Sequence, residues 1–171
     1  MLDLQHGDLR VHVIAARDLP DTDNFAFNIS RGDWTDPFVT VFLDEVRYHR
    51  VEENFFLLCI TQVELLKTSF MQNCLDPVWD EKYSVPVCHN ATTLKIKVMD
   101  REHIGHEEVG HIFISTEDII GGEPMEDWYP LTLASGDQKG EVHIAIHFLP
   151  LGTLDNGKVL VDGYFKVGPG H

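Results

Sequence analysis

Strict alternation of apolar and polar residues appears near both ends of this chain, and it commits both ends to strands. Leu9, Val11, Val13 and Ala15 fall on one side of an extended segment, with Arg10, His12 and Ile14 mostly on the other. Near the C-terminus Val142, Ile144, Ile146 and Phe148 alternate with Glu141, His143, Ala145 and His147. A period of two puts every second side chain on one face, as a half-buried strand requires. Shorter runs rich in β-branched and aromatic residues lie between: Phe38-Val-Thr-Val-Phe-Leu43, Leu94-Lys-Ile-Lys-Val98, 109–114 and 128–133. A weaker run spans 83–87, and Phe55-Phe-Leu-Leu-Cys-Ile60 is apolar enough to be another.

Turn signals punctuate these runs: Asp36-Pro37, Asp76-Pro77, Gly121-Gly122 and Ser135-Gly136-Asp137. Many short strands so spaced predict an all-β fold, an eight-stranded antiparallel β-sandwich of Greek-key type. One helical stub is expected near 115–120, with a capping hydroxyl, acids in its first turn and two glycines to stop it. Two connections look long, 19–35 and 44 to about 56. Long loops on a compact sandwich usually carry function. A sandwich is expected over 1–150, with 151–171 as an extension or linker.

Charge is the unusual part of the composition. Asp and Glu total 28 against 13 Lys and Arg, a formal −15. Such a surface repels phosphate backbones, so no nucleic-acid partner is expected. Three widely spaced cysteines, Cys59, Cys74 and Cys88, make neither a disulfide framework nor a zinc knuckle and suit a reducing compartment. The first residues lack a basic and an apolar region, so no signal peptide is expected. No apolar stretch is long enough to span a bilayer. The sequons at Asn28 and Asn90 read as chance matches.

The acids are unevenly spread. Asp18, Asp21, Asp23 and Asp36 lie in or beside the first long loop; Asp100, Glu102, Glu107 and Glu108 follow the strand ending at Met99. A sandwich gathers alternate loops at one end. Two unit charges about 4 Å apart at an effective dielectric of about 20 interact by roughly 4 kcal/mol. Several like pairs therefore need a cation or raised pKa values. With oxygen ligands only and flexible loops, the fitting cation is Ca²⁺. The plain alternative is a pair of solvated acidic loops.

Several runs carry a family likeness. They are His6-Gly-Asp-Leu-Arg-Val-His-Val-Ile-Ala-Ala-Arg-Asp-Leu-Pro20, Thr35-Asp-Pro-Phe-Val-Thr-Val41, Leu75-Asp-Pro-Val-Trp-Asp-Glu81, Leu94-Lys-Ile-Lys-Val-Met-Asp100 and Glu108-Val-Gly110. In this order over about 6–150 they resemble a C2 domain, with an unusual insertion near 45–65. Pro86-Val-Cys-His89, Ile104-Gly105 and Ile114-Ser-Thr-Glu-Asp-Ile-Ile-Gly-Gly-Glu123 resemble the C2 domain of plant-type phospholipase D, in the family's second (permuted) topology. The resemblance implies a calcium site made by Asp23, with Asp21 as the fallback, Asp36, Asp100, Glu102 and Glu107. Glu102 stands where the family has Asp, one methylene shorter, and Glu107 sits in a loop one residue shorter than the synaptotagmin pattern. It also implies a phospholipid membrane partner, with reversible attachment from the cytoplasm. A further protein partner is compatible with this reading.

Phe25, Phe27, Ile29 and Trp34 lie among the first-loop acids, and Ile104 is at the third-loop tip. They either pack under the loop or enter the lipid interface, where each large side chain buried contributes about 1.5–3 kcal/mol. Calcium would cancel the local repulsion and offer open coordination positions to headgroup oxygens. The family's basic lipid patch would fall on Lys95 and Lys97, with Arg47, Arg50 and Lys67 as further contributors; strand alternation alone explains two outward lysines equally well. His12, His143 and His147 are expected to point outward from the paired first and last strands. His103 and His106 flank the third-loop acids. Phospholipase D catalysis uses two His-x-Lys-x-x-x-x-Asp motifs, and no His here has Lys two residues on. Neither a Gly-x-Ser-x-Gly elbow nor His-Glu-x-x-His occurs, so the expectation is a binding module, not an enzyme. The rival class is a calcium-independent scaffold domain with a degenerate site.

Overall fold

The computed structural model describes residues 5–22, 35–52, 55–89, 91–102, 105–120, 123–150, 154–155 and 158–159. Eight long strands follow one another: β1 (Gln5–Arg17), β2 (Pro37–Glu52), β3 (Phe55–Lys67), β4 (Val78–His89), β5 (Ala91–Arg101), β6 (His106–Ser115), β7 (Met125–Thr132) and β8 (Gln138–Pro150). Helix α1 (Thr116–Ile120) sits between β6 and β7, and Leu154–Asp155 (β9) pairs with Lys158–Val159 (β10). The strand order is β3-β2-β5-β6-β7-β8-β1-β4, antiparallel throughout. β6 and β7 share the single register pair His111↔Thr132. The sheet turns at that seam, and two layers of four strands face each other, as expected of a sandwich.

The core is the apolar parity of each strand. Leu9, Val11 and Val13 of β1 and Val142, Ile144 and Ile146 of β8 come from one layer. Val39, Val41, Leu43, Leu94, Ile96, Val98, Ile112 and Ile114 come from the other. Each large side chain so buried contributes about 1.5–3 kcal/mol, which outweighs any local preference at the weaker strand β4. That strand carries Pro86 and the left-handed Asp80 (φ 51), yet Trp79 and Val87 anchor it in the core. β1 pairs with both β4 and β8, so the first strand lies between the fourth and the eighth.

One sequence reading changes. The second long connection, expected from 44 to about 56, is strand on both sides. β2 runs on to Glu52 and β3 begins at Phe55. β5 follows β2 only as far as Glu45↔Ala91, whereas β2 and β3 stay paired out to Glu52↔Phe55. Residues 46–60 therefore form a two-stranded ribbon beyond the edge of the sandwich. The alternating pattern that signals a strand is absent from Phe55-Phe-Leu-Leu-Cys-Ile60, because such a ribbon has no single core to face.

Antiparallel order sends four connections to one end: β1–β2, β3–β4, β5–β6 and β7–β8. They interlock through the backbone. The Leu19 amide donates to the Leu75 carbonyl (3.1 Å), Cys74 to Thr35 (2.9 Å) and Arg101 to Asp36 (3.2 Å). Gly140 completes the packing. Its φ is +76, and a Cβ there would lie 3.0 Å from the Asp18 carbonyl oxygen, so a side chain fits neither the backbone nor the space.

Candidate functional site

The strand register brings the Asp36 and Asp100 loops together. Pro37 is opposite Asp100 in the β2–β5 ladder, so Asp36 sits just before the start of β2, beside the last residues of β5. The Asp36 N–H donates to Asp100 Oδ1 at 2.7 Å. The Thr22 hydroxyl donates to Asp100 Oδ2, and Thr22 is held by Thr35, whose Oγ1 accepts its N–H at 3.2 Å. Thr35 in turn donates to the Pro20 carbonyl at 3.1 Å. The Asn73 amide, on a left-handed residue (φ 50), donates to Asp36 Oδ1 at 2.7 Å. Asp100 is 1% exposed. A buried carboxylate costs several kcal/mol unless donors or a cation meet it. Here the donors drawn from the described residues are neutral ones, an amide and a hydroxyl.

The other predicted ligands divide into groups. Asp21 is half-buried in the same loop end. Glu107 is opposite Asp100 in the β5–β6 ladder but exposed. Glu102 is half-buried, and its amide donates to the Gly105 carbonyl at 3.3 Å. Asp23, Phe25, Phe27, Ile29, Trp34, His103 and Ile104 lie outside the described residues. Among the described residues, no three His, Cys, Asp or Glu side chains converge closely enough to hold a metal ion. Chemically the pair Asp36 and Asp100 suits a hard cation, since carboxylate oxygens keep lone pairs beyond those already accepting. A full oxygen set would need Asp23 or Asp21 as well.

Sequence reasoning missed Thr22, Thr35 and the Asn73 amide. Their bonds join positions far apart in the chain, and no local pattern marks them. Glu81 was missed in the same way. It accepts from the Ser69 hydroxyl and amide and from the Tyr83 hydroxyl, which ties the β3–β4 loop to β4. Burial alone would raise Glu81; the Ser69 and Tyr83 hydrogen bonds outweigh it and hold the carboxyl below its ordinary value.

Lys95 and Lys97 share the outer face of β5, as alternation requires. The structure gives them company. Lys97 Nζ is 3.0 Å from Glu108 Oε2, and His111 Nδ1 is 2.6 Å from Glu108 Oε1. Burial would raise Glu108, but the Lys97 and His111 hydrogen bonds and the Lys97 and Lys95 charges overcome it and set it below the usual carboxylate range. A shift in register between Val98 and Met99 turns Glu108 onto this face, away from Asp100. Lys67 and Lys97 flank Thr40 in their ladders, on either side of β2. Aromatic rings alternate with the cations: Lys67 over Phe38, Lys97 over Phe42, Lys95 over Phe113 and Arg101 over Phe70, at 4.0–5.3 Å. Arg47 and Arg50 lie on the ribbon instead, beyond the end of the β5 pairing.

The histidines of β1 and β8 are not a cluster. His12 is opposite Ala145 and bonds Asp80 at 2.6 Å; His143 is opposite Ala15 and bonds Glu126 at 3.0 Å; His147 is opposite Arg10. A groove of about 850 Å³ on this side of the molecule is lined by Arg10, His12, Lys82, Ser84 and His147 among others. Asp8 and Asp80 already pair with Arg10 and His12 there.

An antiparallel eight-stranded sandwich with permuted strand order and an acidic loop end defines a class of module. The family model described as the C2 domain matches residues 7–131, and the chain belongs to that family. Among curated proteins it is 30% identical to phospholipase D delta of Arabidopsis thaliana, over 94% of this chain and 21% of that protein. The chain thus spans about a fifth of that relative's length. In fold it is similar to a C2 domain of a plant extended synaptotagmin 1 (TM-score 0.61, 19% identity, 88% of this chain and 100% of that one). It is equally similar to the calcium-bound pair of C2 domains of extended synaptotagmin 2 (TM-score 0.61, 21% identity, 86% of this chain and 47% of that one). Among the described residues no helix is long and apolar enough to cross a membrane.

Proposed function

We propose that this chain is a calcium-dependent phospholipid-binding module with no catalytic role of its own. It docks reversibly on the cytoplasmic side of a membrane through the loop end that holds Asp36 and Asp100. The observation that supports this most is the buried Asp100, which among the described residues meets an amide and a hydroxyl but no cation. Asp23, Glu102 and Glu107 are proposed to complete the oxygen set. Calcium there removes the repulsion between an acidic loop and anionic lipid and leaves positions for headgroup oxygens. Phe25, Phe27, Ile29, Trp34 and Ile104 are proposed to enter the interface, where aromatic and large aliphatic side chains are favoured. Lys95 and Lys97 are proposed as a secondary contact, weakened because Glu108 already engages Lys97. Residues 1–150 are the working module, with 151–171 as its extension.

Liposome co-sedimentation, with calcium and with chelator, tests the proposal. Binding is expected with calcium alone and is expected to be lost in Asp36→Asn with Asp100→Asn. Equal binding in both conditions would sink it. One observation favours the second reading, a calcium-independent scaffold domain: both Asp100 oxygens already accept hydrogen bonds from the protein. Thermal melting separates the two. Calcium at about 100 times its Kd adds about 2.7 kcal/mol, a rise in Tm of several degrees for a domain of this size. No shift would favour the scaffold.

A further inference from the structure

The ribbon of β2 and β3 poses a problem that the sandwich does not solve. Beyond Glu45↔Ala91 its strands pair only with each other among the described residues. β3 is also the terminal strand of the order, so among the described residues one edge of its backbone has no partner strand for its N–H and C=O groups. Natural edge strands usually protect themselves with lysine, proline, bulges or short length. Phe55-Phe-Leu-Leu-Cys-Ile60 has no charge, no proline and no glycine over six positions, and a two-stranded ribbon is marginal alone.

The segment is complementary to itself. Antiparallel pairing with a copy of itself about a two-fold axis at Leu58 sets Leu58 opposite Leu58, Leu57 opposite Cys59 and Phe56 opposite Ile60, each pair sharing a face. Every position from Phe56 to Ile60 then meets an apolar residue, and no like charges oppose one another. The ribbon also escapes the charge of the whole. Over residues 45–61 Glu45, Glu52 and Glu53 stand against Arg47 and Arg50, near neutrality in a chain of formal charge −15. Self-repulsion is therefore least where the free edge lies. We propose that β3 pairs edge to edge with β3 of a second copy of this chain, an isologous contact that continues the sheet across a two-fold axis. The contact is short: about five residues at about 3.3 Å each give roughly 17 Å of strand. That is less than the standard interface of about 1,600 Å² provides, so the dimer is concentration-dependent. It lies at the end of the sandwich opposite the acidic loops and does not depend on calcium.

Sedimentation equilibrium of the full chain in chelator, from about 1 to about 200 μM, reads the outcome. The mass is expected to climb from 19.5 kDa toward twice that value. Higher salt is expected to favour the dimer by screening the net charge. Leu58→Lys, which places two lysines at the centre, is expected to hold the monomer mass with an unchanged melting curve at low concentration. The register has its own check, useful if that variant folds poorly. Leu57→Cys sets a thiol opposite the partner copy's own Cys59, at a spacing that a disulfide can bridge. Oxidised glutathione is expected to link this variant into a dimer, and Leu57→Cys with Cys59→Ser is expected to stay unlinked. A monomer mass throughout the range, an open series of larger species, or equal cross-linking in both variants would overturn the proposal. So would a monomeric wild type whose liposome binding falls in Leu58→Lys, because the edge would then serve lipid.

Discussion

Asp100 and Glu108 lie on neighbouring strands, and their surroundings are opposite. Asp100 is buried at the loop end and accepts from the Asp36 amide and the Thr22 hydroxyl. Glu108 is half-exposed on the sheet face and is met by Lys97 and His111. In one place the charge meets, among the described residues, only neutral donors. In the other a cation already cancels it, and the carboxyl sits below its ordinary value in consequence. Two acids from one cluster in the sequence thus have different uses. Under the proposed function a cation from solution would be held at the first, whereas the second is already an ion pair.

The largest expected effect comes from deleting the buried partner. Asp100→Ala leaves the Asp36 amide and the Thr22 hydroxyl without their acceptor and should cost about 2–4 kcal/mol in urea unfolding with chelator present. A cost under about 1 kcal/mol would mean that water replaces the carboxylate and that the site is open. Thr22→Val removes one donor and should cost about 1 kcal/mol. If calcium takes the Asp100 oxygen that Thr22 now holds, this variant should also raise calcium affinity; a lower affinity would make Thr22 a supporting residue of the site.

The smallest effects belong to Glu108. Lys97→Ala should cost at most about 1 kcal/mol at neutral pH, because the pair is partly solvated. The sign with pH follows from the lowered carboxyl. A group whose folded pKa lies below its unfolded value, 4.5 here, stabilises above that value and loses the contribution as pH falls through the folded one. The stability gap between wild type and Glu108→Gln should therefore be full near neutrality and shrink as pH falls below the unfolded value. Glu81 titrates in the same direction, so Glu81→Gln is the control. A gap that does not change as the carboxylates titrate would show that Glu108 acts by packing.

The strands of the sandwich were largely legible, because a half-buried strand writes its two faces into the sequence. β1, β5 and β8 alternate cleanly, and the core takes Leu9, Val11, Val13, Ile96, Val98, Ile144 and Ile146 from the expected parity. The ribbon was legible only in part: Phe55–Ile60 reads as a possible strand, and β3 does begin there, but without alternation nothing in it marks its pairing with an extended β2. At the loop end, Asp36 and Asp100 stood out as acids at strand termini, and the β2–β5 ladder does join them. The bonds from Thr22 and Asn73 were invisible, since they cross 78 and 37 positions of chain. Glu107 and Glu108 could not be told apart by sequence; a one-residue shift in the β5–β6 register decides which one faces the lysines.

The pairing of β1 with β8 also governs how the chain comes to be folded. Arg17 meets Glu141 across 124 positions, and Val11 meets Ile146 across the same interface. While the chain emerges from the ribosome, β1 has β4 for a neighbour early, but its other edge stays bare until residues 138–150 arrive. Contacts so distant in sequence form late and make folding slow. An apolar strand is then bare along one edge until β8 is made, which makes the arrival of β8 the step that ends its vulnerability to aggregation.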